Sequence, residues 1–320
     1  MSLSIKSLVK SIISGEKLDV TTARELLHYP DGEELFAGAD TLRRHFCGNR
    51  FHLCSIINAR SGECSEDCIF CAQSVHHCTE IEKYDLIAPG KALDMAINND
   101  EHGVRRLSLV TSGRTVSISM LARLQELYEL MGEKTSLLFC ASMGLLDKSK
   151  AHDLKKMGVS RYHCNLEACQ EFFPQVCTTH SWEQKVNTLE VARSAGMEVC
   201  SGGIIGMGES SEQRLALAFE LRELGVRSIP INVLTPIPAT PLGHLNALET
   251  EEVLRVIACF RFINPAAVIR LAGGRQLLVD EQYRCFSSGA NGAIVGDYLT
   301  TVGSKIADDL KALTAMGYTF

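Results

Sequence analysis

At 320 residues with 46% hydrophobic side chains, the chain is long enough to bury one large core or two modest ones. Its formal net charge of −6, with acidic and basic residues scattered and no basic run, argues against a nucleic-acid surface and against an anionic-membrane surface. No apolar run is long enough to span a bilayer and no signal-peptide h-region is present, so a cytoplasmic location and a small-molecule substrate are expected, with no membrane partner.

Residues 1–50 read as a helical segment: Ser4–Val9, a run capped by Thr21 or Thr22, then Glu33–Ala39 and Thr41–Phe46. It carries no evident chemistry and is expected to cover the bottom or side of a main fold spanning 51–320. Cys47 reads as an isolated buried thiol. After a first strand candidate, Leu53–Asn58, comes Cys64-Ser-Glu-Asp-Cys68-Ile-Phe-Cys71. Thirteen cysteines in a reducing compartment read as metal ligation plus ordinary buried thiols rather than a disulfide framework. Three thiolates at this spacing can hold three irons of a four-iron cubane and leave the fourth open to substrate or cofactor. A zinc site completed by Cys78 is the bland alternative, but structural zinc more often uses two separated cysteine pairs.

Seven more strand candidates follow: Arg106–Val110, Ser136–Cys140, Ser160–Asn165, Met197–Cys200, Ser228–Asn232, Val268–Leu271 and Ala293–Val295. Helical stretches separate several of them, among them 117–132, 182–195, 212–224 and 249–262. Eight strands alternating with helices predict an α/β chain of the (β/α)8 TIM-type barrel class with an N-terminal helical extension, its site at the C-terminal strand ends. An open doubly wound sheet is the rival, yet no dinucleotide fingerprint follows the first strand. Seven strands carry a polar or sulfur side chain among aliphatic neighbours: Cys54, Ser108, Cys140, Asn165, Cys200, Asn232 and Arg270. Any one could be a satisfied core group. Together they would converge on one lumen, where Arg270 needs an anionic partner, and an iron–sulfur cluster would be one.

The cysteine triplet looks like the signature of the radical S-adenosylmethionine (SAM) enzymes, and the chain resembles the biotin synthases from about Phe51 to Tyr318. The resemblance rests on Cys64–Ser74, Asn165-Leu-Glu, Val199–Glu209, Ile229–Leu234, Thr240-Pro-Leu, Ile269–Arg275 and Gly289-Ala-Asn-Gly. It implies sulfur insertion into dethiobiotin to form biotin, at carbons whose C–H bonds no side-chain base can ionise. Another radical SAM barrel enzyme, of hydrogenase-maturase or methylornithine-synthase type, would share the triplet but not the Cys140, Cys200 and Arg270 set. A non-catalytic iron–sulfur or zinc module would share the triplet alone.

Carried over by position, the resemblance implies a 4Fe–4S cluster on Cys64, Cys68 and Cys71, with SAM on its open iron. Phe70, Asn165, Glu167, Lys185 and Ile204 would contact SAM, Glu167 standing where relatives have Asp and Lys185 where they have Arg. Asn165, Asn232 and, less usual at its position, His163 would contact dethiobiotin. Familiar members hold an auxiliary 2Fe–2S cluster at positions matching Ser108, Cys140, Cys200 and Arg270. Here the first is serine, while Cys54 stands where serine is usual, so three thiolates survive in a changed arrangement. A four-iron cubane with an extra sulfide on Cys54, Cys140 and Cys200, Arg270 adjacent or ligating, is preferred over a distorted 2Fe–2S site. Cys54 as a mere core thiol is the remaining possibility. The resemblance also implies a homodimer and an electron donor such as flavodoxin or ferredoxin. Cys78, Cys164, Cys169, Cys177, Cys259 and Cys285 match no ligand role.

Overall fold

The computed structural model describes residues 3–296, Leu299 and 305–320. Its strand segments are β1 (His52–Arg60), β2 (Arg106–Thr111), β3 (Leu138–Ser142), β4 (Arg161–His163), β5 (Glu198–Cys200), β6 (Gly203–Ile205), β7 (Ser228–Val233), β8 (Val268–Leu271) and β9 (Gly292–Ile294). All are parallel to their neighbours, in the order β5-β4-β3-β2-β1-β9-β8-β7-β6. The two ends of that order, β5 and β6, are separated in the chain only by Ser201 and Gly202. The Cys200 carbonyl accepts the Cys164 N–H at 3.1 Å on the β4 side, and the Ser201 N–H donates to the Ser228 carbonyl of β7 at 3.0 Å. β5 and β6 are therefore halves of one jogged strand, the first paired with β4 and the second with β7, and the sheet closes as an eight-stranded barrel.

The jog explains the glycine pair that follows Cys200. A Cβ on Gly202 would lie 1.8 Å from the Pro230 carbonyl oxygen, and one on Gly203 2.5 Å from that of Glu167. Only glycine permits this approach of three backbones.

Helices between the strands cover the outside of the barrel. Ser117, Asp147, Ser181 and Ser210 cap four of them through side-chain oxygens, and the backbone N–H groups of the last two donate in return to the side-chain oxygens of Gln184 and Gln213. On β1, Leu53, Ile57 and Ala59 are buried toward the helices while Cys54, Ile56 and Asn58 alternate inward. The apolar core thus lies between sheet and helices, and the lumen is left to polar and sulfur side chains.

The N-terminal segment forms helices Ile5–Ile13, Val20–Leu27 and Gly32–Cys47, the last lying against helix Thr250–Ile263. The cap expected at Thr21 or Thr22 is Asp19, whose Oδ1 accepts the Thr22 N–H at 2.9 Å. The two helices expected over 33–46 are one, because Asp40 meets Arg43 and Arg44 with ion pairs of 2.6 and 2.7 Å instead of breaking the run. The Gly289-Ala-Asn-Gly motif is a structural tie. Fully buried Asn291 receives Arg261 Nη2 at 2.9 Å and the Ile269 N–H at 3.0 Å, joining β8 to helix 250–263. Among the described residues no helix is long and apolar enough to cross a membrane.

Candidate active site

The period-two alternation of the strands turns Cys54 and Ile56, Arg106, Ser108 and Val110, Cys140 and Ser142, and Arg161 and His163 into a lumen cavity of about 350 Å³. Cys200, Ile204, Pro230, Asn232 and Arg270 complete its wall, with Phe70 and Cys71 of the cysteine loop and Asn165 and Glu167 after β4. Twelve of the positions singled out in the sequence, Ser108 among them, line this one cavity; Cys64, Cys68 and Lys185 do not.

The lower lumen gathers three thiols and three guanidinium groups. Arg106 Nη1 lies 3.9 Å from Cys140 Sγ, and Arg270 Nη1 3.9 Å from Cys200 Sγ and 2.9 Å from Ser228 Oγ, itself 3.1 Å from Cys200 Sγ. Glu198 pairs with Arg106 at 3.2 Å and Arg161 at 2.6 Å, leaving the cluster of charges cationic. Burial pushes the Cys140 thiol up to about 12, with Cys54 beside it adding to the effect. Burial also raises Cys200, but a hydrogen bond from His163 and the charges of Arg270 and Arg161 more than offset it and hold that thiol at about 6. His163, expected among the substrate contacts, is thus engaged with Cys200.

Cys54 does not stand at the level of Ser108. In the register Ser108 faces Ile56 and Cys140, while Cys54 faces Arg106, two residues nearer the floor. Placing the third thiol at 54 instead of 108 shifts it roughly 6–7 Å along the barrel. Ser108 Oγ and Arg270 Nε are buried without a hydrogen-bond partner among the described residues.

At the mouth, the cysteine loop leaves β1 and folds back on itself. The Cys64 N–H donates to the Gln73 carbonyl at 3.0 Å, Val75 N–H to Cys64 O at 2.8 Å, and Cys71 N–H to Cys68 O at 3.0 Å. Burial pushes Cys71 up to about 11. The loop is anchored on segment 176–180: Ile69 N–H reaches Val176 O at 3.0 Å, Asp67 Oδ1 accepts the Thr178 and Thr179 N–H groups at 2.9 and 3.2 Å, and Glu66 Oε2 meets Thr179 Oγ1 at 2.9 Å and His180 Nδ1 at 2.5 Å. Cys177 packs its thiol against Cys68, a contact that raises the Cys68 thiol and lowers that of Cys177 to about 4. Glu66, Asp67, Cys177 and His180 were missed in the sequence; Cys177-x2-His180, a spacing metals use, was the available signal.

Within the wall, Glu167 adopts φ +70, a strained conformation for a side-chain-bearing residue. It is held there because its N–H donates to Gly202 O at 3.2 Å and its carbonyl accepts the Ile204 N–H at 2.9 Å. Asn165 Oδ1 takes the Gly202 N–H at 3.0 Å. Lys185 Nζ sits 3.9 Å from Glu167 Oε1; burial disfavours its charge, but Cys164, Glu167 and Cys68 outweigh that and raise its pKa. Glu167 Oε2 has no partner among the described residues. Asn232 Nδ2 donates to Gly203 O at 3.1 Å and its Oδ1 accepts the Gly273 N–H at 2.9 Å. The unpartnered Glu167 oxygen suits hydroxyl groups of a ligand at the mouth, and the cationic thiol-lined floor suits an anionic sulfide-containing group.

A family model described as the radical SAM superfamily matches residues 60–222, and one described as the biotin and thiamin synthesis associated domain matches 230–319. The chain is 51% identical over 317 residues to a biotin synthase of Desulfotalea psychrophila, covering 98% of this chain and 94% of the relative. It is 45% identical to one of Brachyspira hyodysenteriae, covering 99% and 95%. Among solved structures, methylornithine synthase superposes with a TM-score of 0.85 at 20% identity, covering 98% of this chain and 96% of that one. A FeFe-hydrogenase maturase from Carboxydothermus hydrogenoformans superposes with 0.79 at 18%, covering 98% and 78%. At those identities the two structures speak to the barrel alone.

Proposed function

The chain belongs to the biotin synthase family, and from that premise we propose how its own residues divide the work of inserting sulfur into dethiobiotin to form biotin. The observation that carries the proposal is the two-storey lumen: a floor of Cys54, Cys140 and Cys200 among three arginines, under a mouth bordered by the cysteine loop. When bound, the 4Fe–4S cluster and SAM supply radical chemistry for unactivated C–H bonds, which general bases cannot reach.

Cys64, Cys68 and Cys71 hold that cluster, and residues 60–222 carry the matching family model. Glu167, with one carboxylate oxygen unpartnered, takes the SAM ribose; Lys185 behind it balances its charge, and Phe70 and Ile204 pack on the adenine side. Asn165 stands between cofactor and substrate. Asn232 keeps one N–H and one lone pair free for the ureido ring of dethiobiotin, since two of its four hydrogen-bonding positions are used internally. On the floor, Cys54, Cys140 and Cys200 hold a four-iron auxiliary cluster. Support for this size comes from the displacement of the third thiol from level 108 to level 54, which widens the triad. Arg106, Arg161 and Arg270 neutralise its charge, and His163 orients Cys200. The helical segment 1–50 supports the barrel of 51–320. A homodimer, and electron delivery by flavodoxin or ferredoxin, complete the proposal.

An anaerobic single-turnover assay with dethiobiotin, SAM and a reductant tests it. The expected result is biotin formed in step with loss of auxiliary sulfide. SAM cleavage with no biotin at any time would overturn it.

A further inference from the structure

Cys177 and His180 have no part in the division of labour above, yet they face a ligand of the cluster loop. The Cys68 and Cys177 sulfurs and a His180 ring nitrogen all lie within 4.8 Å of one another, and Cys177 Sγ is 3.2 Å from His180 Nδ1. A tetrahedral ion bonded to sulfur at about 2.3 Å and nitrogen at about 2.0 Å has ligand–ligand edges of roughly 3.5–3.8 Å, so these atoms need little movement to enclose one. Glu66 Oε2 holds His180 Nδ1 in a 2.5 Å hydrogen bond, which opens when that nitrogen turns to the ion, and water supplies the fourth donor. The backbone that carries Cys177 and His180 is already fixed: Asp67 Oδ1 receives the Thr178 and Thr179 N–H groups, and Arg114 steadies Glu66 at 3.2 Å and also donates to the Thr179 carbonyl. Two sulfurs and one imidazole suit a borderline-soft divalent cation of the zinc, cobalt or ferrous class.

We propose that the cluster-free chain binds one such divalent cation at Cys68, Cys177 and His180, with water completing the site. Both sulfurs bind as thiolates, and any proton they still carry goes to solvent. Because Cys68 cannot serve this ion and the cubane together, the site competes with cluster assembly and holds the loop against segment 177–180 until iron and sulfide arrive. The competition rests on the cluster assignment; the binding site does not.

The test titrates cobalt(II) into the full-length chain freed of iron and sulfide under anaerobic conditions. The parent should take up one equivalent with thiolate-to-cobalt charge transfer and tetrahedral d–d bands. Cys177→Ser and His180→Gln should each weaken uptake at least about tenfold, with far-UV circular dichroism matching the parent, while Cys64→Ser and Cys71→Ser leave it unchanged. Uptake that survives both Cys177→Ser and His180→Gln, or is lost in Cys64→Ser, would place the ion on the cysteine triplet and overturn the site. One equivalent of zinc added before iron and sulfide should then slow reconstitution of the parent but not of Cys177→Ser. Equal slowing of both would overturn the competition and leave the binding result standing.

Discussion

Replacing Asn232 with alanine separates two jobs of one side chain. Its amide ties β7 to β6 through Gly203 and to the turn after β8 through Gly273, so alanine strands a carbonyl and an N–H. Each stranded group costs about 1–3 kcal/mol when fully buried, and with Asn232 only half-buried a total of about 2 kcal/mol is expected. At roughly 2 cal/mol/K of unfolding entropy per residue, a 320-residue chain then loses about 3 °C in apparent melting temperature. Loss of the hydrogen bond to the ureido ring weakens dethiobiotin binding by about tenfold more. Scanning fluorimetry without substrate reads the first effect, and equilibrium binding of dethiobiotin to the holoenzyme reads the second. An Asn232→Ala protein that melts with the parent would refute the bridging role. One that binds dethiobiotin like the parent would remove Asn232 from the substrate site.

Cys54→Ser should lower bound iron by about four per chain and abolish biotin formation while SAM cleavage continues, whereas Ser108→Ala keeps its iron, a hydroxyl being the poorer ligand; iron analysis that found the opposite pair of results would restore the familiar arrangement. Cys68→Ala should lose 5′-deoxyadenosine production altogether, as should the equivalent changes at Cys64 and Cys71, and a variant cleaving SAM at the parent rate would exclude that residue from the cluster. Lys185→Met should raise the dissociation constant for SAM about tenfold by leaving Glu167 as an uncompensated buried charge, with Lys185→Arg recovering most of it; equal affinities in all three proteins would confine Lys185 to packing.

Much of the site was legible because barrel strands obey a period of two. Cys54, Ser108, Cys140, Asn232 and Arg270 declare themselves as odd residues in aliphatic runs, and the same parity would have exposed Arg106 and Arg161, which point into the same lumen. The jogged strand was hidden because Gly202-Gly203 reads as a turn; its need for glycine comes from Pro230 and Glu167, residues distant in sequence. The contacts of Glu66 and Asp67 with 177–180 span more than a hundred residues and leave no local pattern. Asn232 was expected to be a ligand contact, but its internal bonds to Gly203 and Gly273 depend on how β6 and β8 pack around β7, which no periodicity records.

The central claim is that three thiolates, one of them displaced from level 108 to level 54, hold a four-iron sulfur donor beneath the SAM site, and an iron and acid-labile sulfide count on the anaerobically reconstituted chain tests it most directly. The account predicts about eight irons per chain, with sulfide in excess of iron. About six irons would contradict the four-iron auxiliary site, and about four would contradict any auxiliary cluster at Cys54, Cys140 and Cys200.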